Sequence, residues 1–237
     1  MLEKLLAHGA SVTVRSEDNL SPLHLTATLE GGLRCVQLLL DAGADVNSMD
    51  DENRTPLLSA TCYGWVDIAE TLLAAGARIE QTCEDGWTSL MSGIFWNMHG
   101  SVKLLLDKGA GTLVVTDQGE TLLHVAVRYG DIKMLEMLAG RDLGPLDLYA
   151  KTDAGETVYD ISKSRDESSD WQKAFQMLLK SIDDRKSASL PIGSVRLESS
   201  ETLVDGKTAQ EVFVTTYAGS DSGSELDHFE DALEIVV

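Results

Sequence analysis

Two short motifs recur along this chain with one period. The dipeptide Gly-Ala, each time after a leucine-rich run, begins at Gly9, Gly43, Gly76 and Gly109, in steps of 34, 33 and 33 residues. A second series reads Ser-Pro-Leu-His, Thr-Pro-Leu-Leu, Thr-Ser-Leu-Met and Thr-Leu-Leu-His; it begins at positions 21, 55, 88 and 121 and has the same steps. A unit of about 33 residues cannot bury its own apolar side, so its stability must come from stacking on neighbouring units.

Each unit carries the signals of two short helices. A turn rich in Asp, Asn or Gly precedes a Ser or Thr whose hydroxyl can cap the first helix, and Pro22 and Pro56 suit the first helical turn. The first helix is rich in small residues and is broken at Gly31, Gly64 or Gly130. A leucine-rich second helix follows, and the Gly of the Gly-Ala pair predicts a left-handed C-cap at its end.

This pattern resembles the ankyrin repeat. The family's Thr-Pro-Leu-His-x-Ala motif is best matched at residues 21–26 and 121–126, and its Gly-Ala-Asp-Val-Asn motif is intact at residues 43–47. The resemblance implies an all-α solenoid of stacked helix-turn-helix units with short hairpin-like turns. A tetratricopeptide-type αα repeat has a similar length, but it would not predict these two motifs together.

The repeat predicts the organisation of the chain. An ankyrin-repeat domain is expected over residues 1–181, with a C-terminal half-unit, four full units and a degenerate last unit. Their expected bounds are 1–15, 16–49, 50–82, 83–115, 116–150 and 151–181. Because the sequence starts inside a second helix, we expect either a fragment of a longer solenoid or an N-terminal face covered by another chain.

Three departures from the repeat predict local differences. An extra residue around positions 29–32 should lengthen the turn between the helices of the first full unit. In the third full unit Gly93, Ile94 and Asn97 replace the family's Ala, Ala and Gly, which predicts a looser or tilted helix pair. Residues 139–145 exceed the period by three residues, which would allow the last unit to dock at a shifted angle.

Residues 182–237 differ in composition from the repeats. They include 12 acidic and 4 basic residues and two Ser-rich runs, which predicts a mostly disordered acidic tail. Residues 212–217 have the character of a strand. Leu226, Phe229, Leu233 and Val236 lie near helical spacing, which fits either a short partner-binding helix or a segment that folds back on the solenoid.

The net charge of the chain limits the classes of molecule that it can bind. It has 19 basic and 39 acidic residues, a net charge of −20, and such a chain is repelled by nucleic-acid phosphates and anionic lipid surfaces. The three cysteines show no C-x-x-C spacing, and we find no export signal and no run of about eighteen apolar residues. We therefore expect a reduced, intracellular protein, cytoplasmic or nuclear, with no nucleic-acid or membrane partner.

Signals for catalysis are weak. His24 and His124 occupy the Thr-Pro-Leu-His position and are expected to hydrogen-bond the repeat's own turn. Cys62 has no histidine placed to activate it, and the sequence has no Gly-rich phosphate loop and no zinc or calcium motif. We therefore expect no enzyme activity, no cofactor and no metal.

The resemblance to ankyrin proteins implies a binding surface on the concave face, formed by the turn tips and the exposed edges of the first helices. A row of seven carboxylates is expected along the tips, at Glu17, Asp18, Asp51, Glu52, Glu84, Asp85 and Asp117. The predicted partner-binding residues are Asp51, Glu52, Arg54, Tyr63, Glu84, Asp85, Trp87, Phe95, Trp96, Asp117, Arg128 and Tyr129. The alternative is that the charges are simply solvated and the rings cover the core between repeats.

These features predict a non-catalytic scaffold or adaptor that binds a basic or extended segment of another protein in the groove around the second to fourth full units. One alternative is a regulatory inhibitor that masks a basic nucleic-acid-binding protein. Another is an interaction fragment of a larger enzyme, channel or ubiquitin-ligase receptor.

Overall fold

The chain folds as a series of short helices. A computed structural model describes residues 1–165 and 168–189, and side chains up to residue 185. The helices are α1 (Leu2–Ala7), α2 (Pro22–Ala27), α3 (Leu33–Asp41), α4 (Pro56–Cys62), α5 (Val66–Ala74), α6 (Ser89–Phe95), α7 (His99–Asp107), α8 (Leu122–Tyr129), α9 (Ile132–Ala139), α10 (Val158–Ser164) and α11 (Ser169–Ser189). This part of the chain has no strands, only two isolated bridges that close turns, Thr82 with Thr88 and Val115 with Thr121.

The helices stack in single file, as the repeat predicts. We number the full units one to four, with helix pairs α2/α3, α4/α5, α6/α7 and α8/α9; the last unit holds α10 and α11. First helices pack on first helices from α2 through α4, α6 and α8 to α10, and second helices pack on second helices from α1 through α3, α5 and α7 to α9. One continuous apolar core therefore runs from Leu23 to Ile182, within the compact unit Met1–Lys186.

Hydroxyl caps begin the first helices. The side chains of Thr55 and Thr88 accept hydrogen bonds from the third backbone N–H of their helices, and Pro56 is the first residue of α4. The glycines that end the second helices have the predicted left-handed backbone, with φ of 85° at Gly43 and 93° at Gly76. The hydroxyl caps and these glycines therefore place the start of each first helix and the end of each second helix at the same point of the repeat.

The two histidines of the Thr-Pro-Leu-His position are buried and link one unit to the next. His24 Nδ1 lies 2.8 Å from the Ser21 hydroxyl, and its Nε2 lies 2.9 Å from the carbonyl oxygen of Arg54 in the following turn. His124 contacts Thr121 and the carbonyl of Ala150 in the same way. Burial lowers the pKa of both imidazoles, which favours the neutral form that can donate through one nitrogen and accept through the other.

Unit three does not show the looser helix pair that its sequence predicts. Asn97 adopts φ 55°, the left-handed conformation that glycine has at the corresponding Gly64. Its side chain donates to the carbonyl of Tyr129 at 2.9 Å and accepts from the N–H of Asp131 at 2.8 Å. Since Asn tolerates this conformation better than most residues, it replaces the glycine and adds two hydrogen bonds to unit four.

The helix α11 continues past residue 181, the predicted end of the repeats. Ile182 is only 2% exposed, and the guanidinium of Arg185 donates to the carbonyl of Ala139. Trp171 stacks on Phe175 and donates through its indole N–H to the carbonyl of Gly130. These contacts anchor the last unit. The tail segments predicted at 212–217 and 226–236 lie outside the described residues.

At the N-terminal end, α1 packs on α3 through the half-buried Leu2 and Leu6, while Leu5 is exposed. Among residues 1–165 and 168–189, no helix has the length and apolar character required to cross a membrane.

Two buried hydroxyls allow a matched test of this packing. Thr55 caps α4, whereas the buried Oγ of Ser101 makes no hydrogen bond in the described structure. We expect Thr55→Ala to lower the free energy of unfolding by about 1 kcal/mol because a cap is lost. Ser101→Ala should leave it unchanged or raise it, because an unsatisfied polar group is removed. Urea unfolding measures both, and an equal loss in the two variants would contradict this view of the packing.

Candidate functional site: an acidic and aromatic face

The tips of successive turns are joined directly to one another. In each joint a backbone N–H of one tip donates to a carbonyl of the preceding tip, with N···O distances of 2.9–3.4 Å. The four pairs, donor first, are Asp51 with Asp18, Glu84 with Glu52, Asp117 with Asp85, and Asp153 with Gln118. Because these bonds are between backbone atoms, the side chains of the tips remain available. The turns therefore form one continuous row.

A polar side chain at the start of the turn fixes its conformation in four of the described units. In unit two Asp50 is buried, and its Oδ1 accepts from the N–H groups of Glu52 and Arg54 at 3.0 and 2.8 Å. The hydroxyls of Ser16, Thr116 and Thr152 accept from backbone N–H groups at the corresponding point of their turns. Cys83 stands at this position in unit three.

Most of the predicted carboxylates are exposed and unpaired. Within the described ranges, no ion pair engages six of the seven. These are Glu17, Asp18, Asp51, Glu84, Asp85 and Asp117. The seventh, Glu52, pairs with Arg54 at 3.0 Å. Asp153 extends the row into the last unit; it is not among the predicted carboxylates, although the Asp-Ala-Gly turn it belongs to is visible in the sequence.

Both arginines predicted to contact a partner are engaged within the protein. Arg54 donates to Asp50 as well as to Glu52. Arg128 Nε lies 2.9 Å from the buried Glu120, and its Nη2 lies 2.7 Å from Glu156 in the last unit. These guanidinium groups neutralise Asp50, Glu52, Glu120 and Glu156, so they leave the negative charge of the other exposed tips uncompensated.

The predicted aromatic residues of units three and four form a cluster around Phe95. The centroid of the Phe95 ring lies 5.6 Å from that of Trp87, 5.0 Å from that of Trp96 and 4.4 Å from that of Tyr129. Phe95, Trp87 and Tyr129 are half-buried against the core, whereas Trp96 is 56% exposed. We call these four residues the aromatic cluster. Tyr63 is 58% exposed on α4 and takes part in none of these ring contacts.

Trp87 and Phe95 of the cluster occupy positions at which units two and four have no aromatic ring. Trp87 in the turn contacts Phe95 at the end of α6. In unit four the corresponding residues are Glu120 and Arg128, which form an ion pair. In unit two Cys62 corresponds to Phe95, and burial raises the pKa of its thiol to about 11, so the sulfur stays protonated and unreactive near neutral pH. The apolar part of this face is therefore centred on unit three.

The residues of this face offer no nucleophile with an activating base. The part of the chain that the structure describes also has no group of three or more His, Cys, Asp or Glu side chains arranged to hold a metal ion. What the face does present is a row of carboxylates beside exposed ring surface, because Trp87 follows Asp85 by two residues and contacts Phe95. Such a face is suited to binding another molecule.

We expect Arg128→Met to lower the free energy of unfolding by about 2 kcal/mol, since it leaves the buried carboxylate of Glu120 without its cation. Lys103→Met is the matched control, because it removes a cation from an exposed pair with Asp107 and should cost less than about 0.5 kcal/mol. Adding Glu120→Gln to Arg128→Met should recover much of the loss. Chemical unfolding curves give these values, and equal effects of the two Met variants would contradict the role assigned to Arg128.

Comparison with known proteins agrees with the repeat seen in the structure. A family model described as ankyrin repeats in three copies matches residues 1–83 and 75–147. Ankyrin repeat and SOCS box protein 6 of Mus musculus is 44% identical over 59 residues, and the protein of that name in Homo sapiens is 46% identical over 59 residues. Each match covers 24% of this chain and only 14% of the relative. Since the family model covers more than half of the sequence, the chain belongs to the ankyrin repeat family.

Proposed function

We propose that this protein is a non-catalytic binding module, a scaffold or adaptor, that holds a basic or extended segment of another polypeptide on the concave face. Ankyrin repeats indicate a protein-interaction domain. The observation that carries the more specific proposal is the exposed side of Trp96 within the aromatic cluster, on a face whose turn tips carry carboxylates without a cation.

Charge complementarity supports a basic partner. The arginines on this face, Arg54 and Arg128, are committed to Asp50, Glu52, Glu120 and Glu156. The exposed tips Glu84 and Asp85 precede Trp87 of the cluster by three and two residues, and together with the tip of unit four, Asp117, they repel anionic ligands. A row of one sign accelerates the approach of an oppositely charged segment and disfavours nucleic acid.

The rings would supply most of the affinity. A Trp side chain buried at an interface removes a large apolar area from water, and Trp and Tyr are enriched among residues that dominate binding energies. Phe95, held by Trp87 and Tyr129, supports Trp96 from beneath. This support limits the conformational freedom that Trp96 would lose when a partner binds.

The same face also favours a second candidate, a regulator that masks a basic nucleic-acid-binding protein, because a surface that binds phosphate is itself positively charged. A third candidate is the interaction segment of a larger protein such as an enzyme, a channel or a ubiquitin-ligase receptor. It draws support from the relatives, whose matched region is 14% of their length and whose name includes a SOCS box.

A library of twelve-residue peptides displayed on phage, selected on the whole chain, tests the proposed function. We expect the selected peptides to be enriched in Arg and Lys and to contain an apolar or proline residue. Their affinities are then measured by isothermal titration calorimetry. Trp96→Ala should weaken binding by about 2 kcal/mol, which is roughly thirtyfold.

Leu113→Ala is the matched control, because Leu113 is 59% exposed but lies on a loop between α7 and α8 rather than in the cluster. It should leave the affinity unchanged. Selection of peptides without basic residues, or equal losses in the two variants, would count against the proposal.

A further inference from the structure

We propose that the segment bound on this face is a polyproline II helix with a basic residue at every third position. This inference rests on the proposed function and specifies the conformation and the spacing of the partner. It comes from the distance between successive turn tips, from the aromatic cluster and from two indole groups that lack partners.

The spacing of the carboxylates follows from the stacking of the first helices. The helices α2, α4, α6 and α8 pack side by side in order, and packed helices lie about 8–10 Å apart. A backbone hydrogen bond joins each tip to the next, as between Glu84 and Glu52 at 2.9 Å, so the tips keep the spacing of the helices. Exposed carboxylates therefore recur once per unit, about every 8–10 Å.

Among extended conformations, polyproline II fits this spacing best. It has three residues per turn and a rise of about 3.1 Å, so side chains on one face recur about every 9 Å. In a β-strand, neighbouring side chains on one face are about 6.6 Å apart, and every second side chain on that face is about 13 Å from the last. Neither distance matches the spacing of the tips. An α-helix presents a side chain every turn of about 5.4 Å, so alternate turns would face the space between two tips.

The aromatic cluster is suited to contact the residues of the bound segment that lie between its basic residues. A segment that follows the row crosses from the tip of unit three, at Glu84 and Asp85, to the tip of unit four, at Asp117. Trp87 lies two residues after Asp85 and is in edge contact with Phe95, so the cluster borders this step of the row. Prolines present flat apolar faces, and proline-rich segments dock on aromatic grooves because their conformation is already ordered.

Two indole N–H groups are available for the backbone of such a segment. Trp65 and Trp171 donate to the carbonyls of Thr28 and Gly130. Trp87 and Trp96 make no hydrogen bond through the indole N–H within the described structure. The carbonyls of a polyproline II helix are not bonded within the helix, and they are suitable acceptors for these two donors.

Three labelled peptides of equal composition test the spacing, by fluorescence anisotropy with the full chain in 50 mM NaCl. The first is Pro-Pro-Arg repeated four times; the second has eight prolines followed by four arginines; the third alternates Arg and Pro and then ends in prolines. We expect the first to bind at least tenfold more tightly than the other two. An alternating Arg-Val peptide and an Ala-rich helical peptide with arginine at every seventh position represent the strand and the helix.

Variants of the protein locate the bound peptide. The pair Glu84→Gln and Asp85→Asn should weaken binding of the first peptide at least tenfold, as should Trp96→Ala. The pair Asp41→Asn and Glu136→Gln is the control, because it removes the same charge from exposed positions on the second helices α3 and α9. It should change the affinity less than threefold.

Equal affinity for the three proline peptides would overturn the spacing and leave the proposed function standing. Tighter binding of the strand or helical peptide would overturn the polyproline II conformation in the same way. Absence of binding by every arginine peptide would overturn both the inference and the basic partner of the proposed function.

Discussion

The structure depends on one constraint: no helix pair of this chain can bury its own apolar side. Leu57 and Leu72 of unit two are fully excluded from water only because units one and three cover them. Apolar burial contributes roughly 25 cal/mol per Å², and each helix of units one to four buries its apolar side both against its partner in the unit and against the neighbouring units. The functional face is a product of the same stacking, because groups that are far apart in sequence meet only when their units lie side by side.

Hydrogen bonds made by polar groups of the turns hold the stacked units in a regular arrangement. His24 connects the cap of one unit to the turn of the next, and Asn97 connects unit three to unit four. The backbone bonds between tips then fix the backbone of each tip relative to its neighbour. The face is therefore preorganised, and a partner that matches its spacing meets it at a low cost in conformational entropy.

Sequence reasoning could predict the features that depend on periodicity. The period, the Ser and Thr caps, the glycine C-caps and the order of the helices follow from motifs that repeat. Features that depend on contacts between different residue types could not be found in this way. The pairing of Arg128 with Glu120 and Glu156 joins two units through side chains that occur once. A missing glycine at position 97 predicts a weak joint, whereas the asparagine itself adopts the left-handed conformation. The end of the repeats is predicted too early, at residue 181, because the last turns of α11 are polar.

The central claim is that the aromatic cluster and the neighbouring carboxylates form the partner-binding face. The chain has four tryptophans, which are Trp65, Trp87, Trp96 and Trp171, and each gives its own indole N–H signal in a ¹H–¹⁵N NMR spectrum. When an arginine-rich peptide is added, we expect the signals of Trp87 and Trp96 to shift, while those of Trp65 and Trp171, which are bonded to backbone carbonyls, stay in place. A shift of Trp65 or Trp171 with no change at Trp96 would contradict the claim.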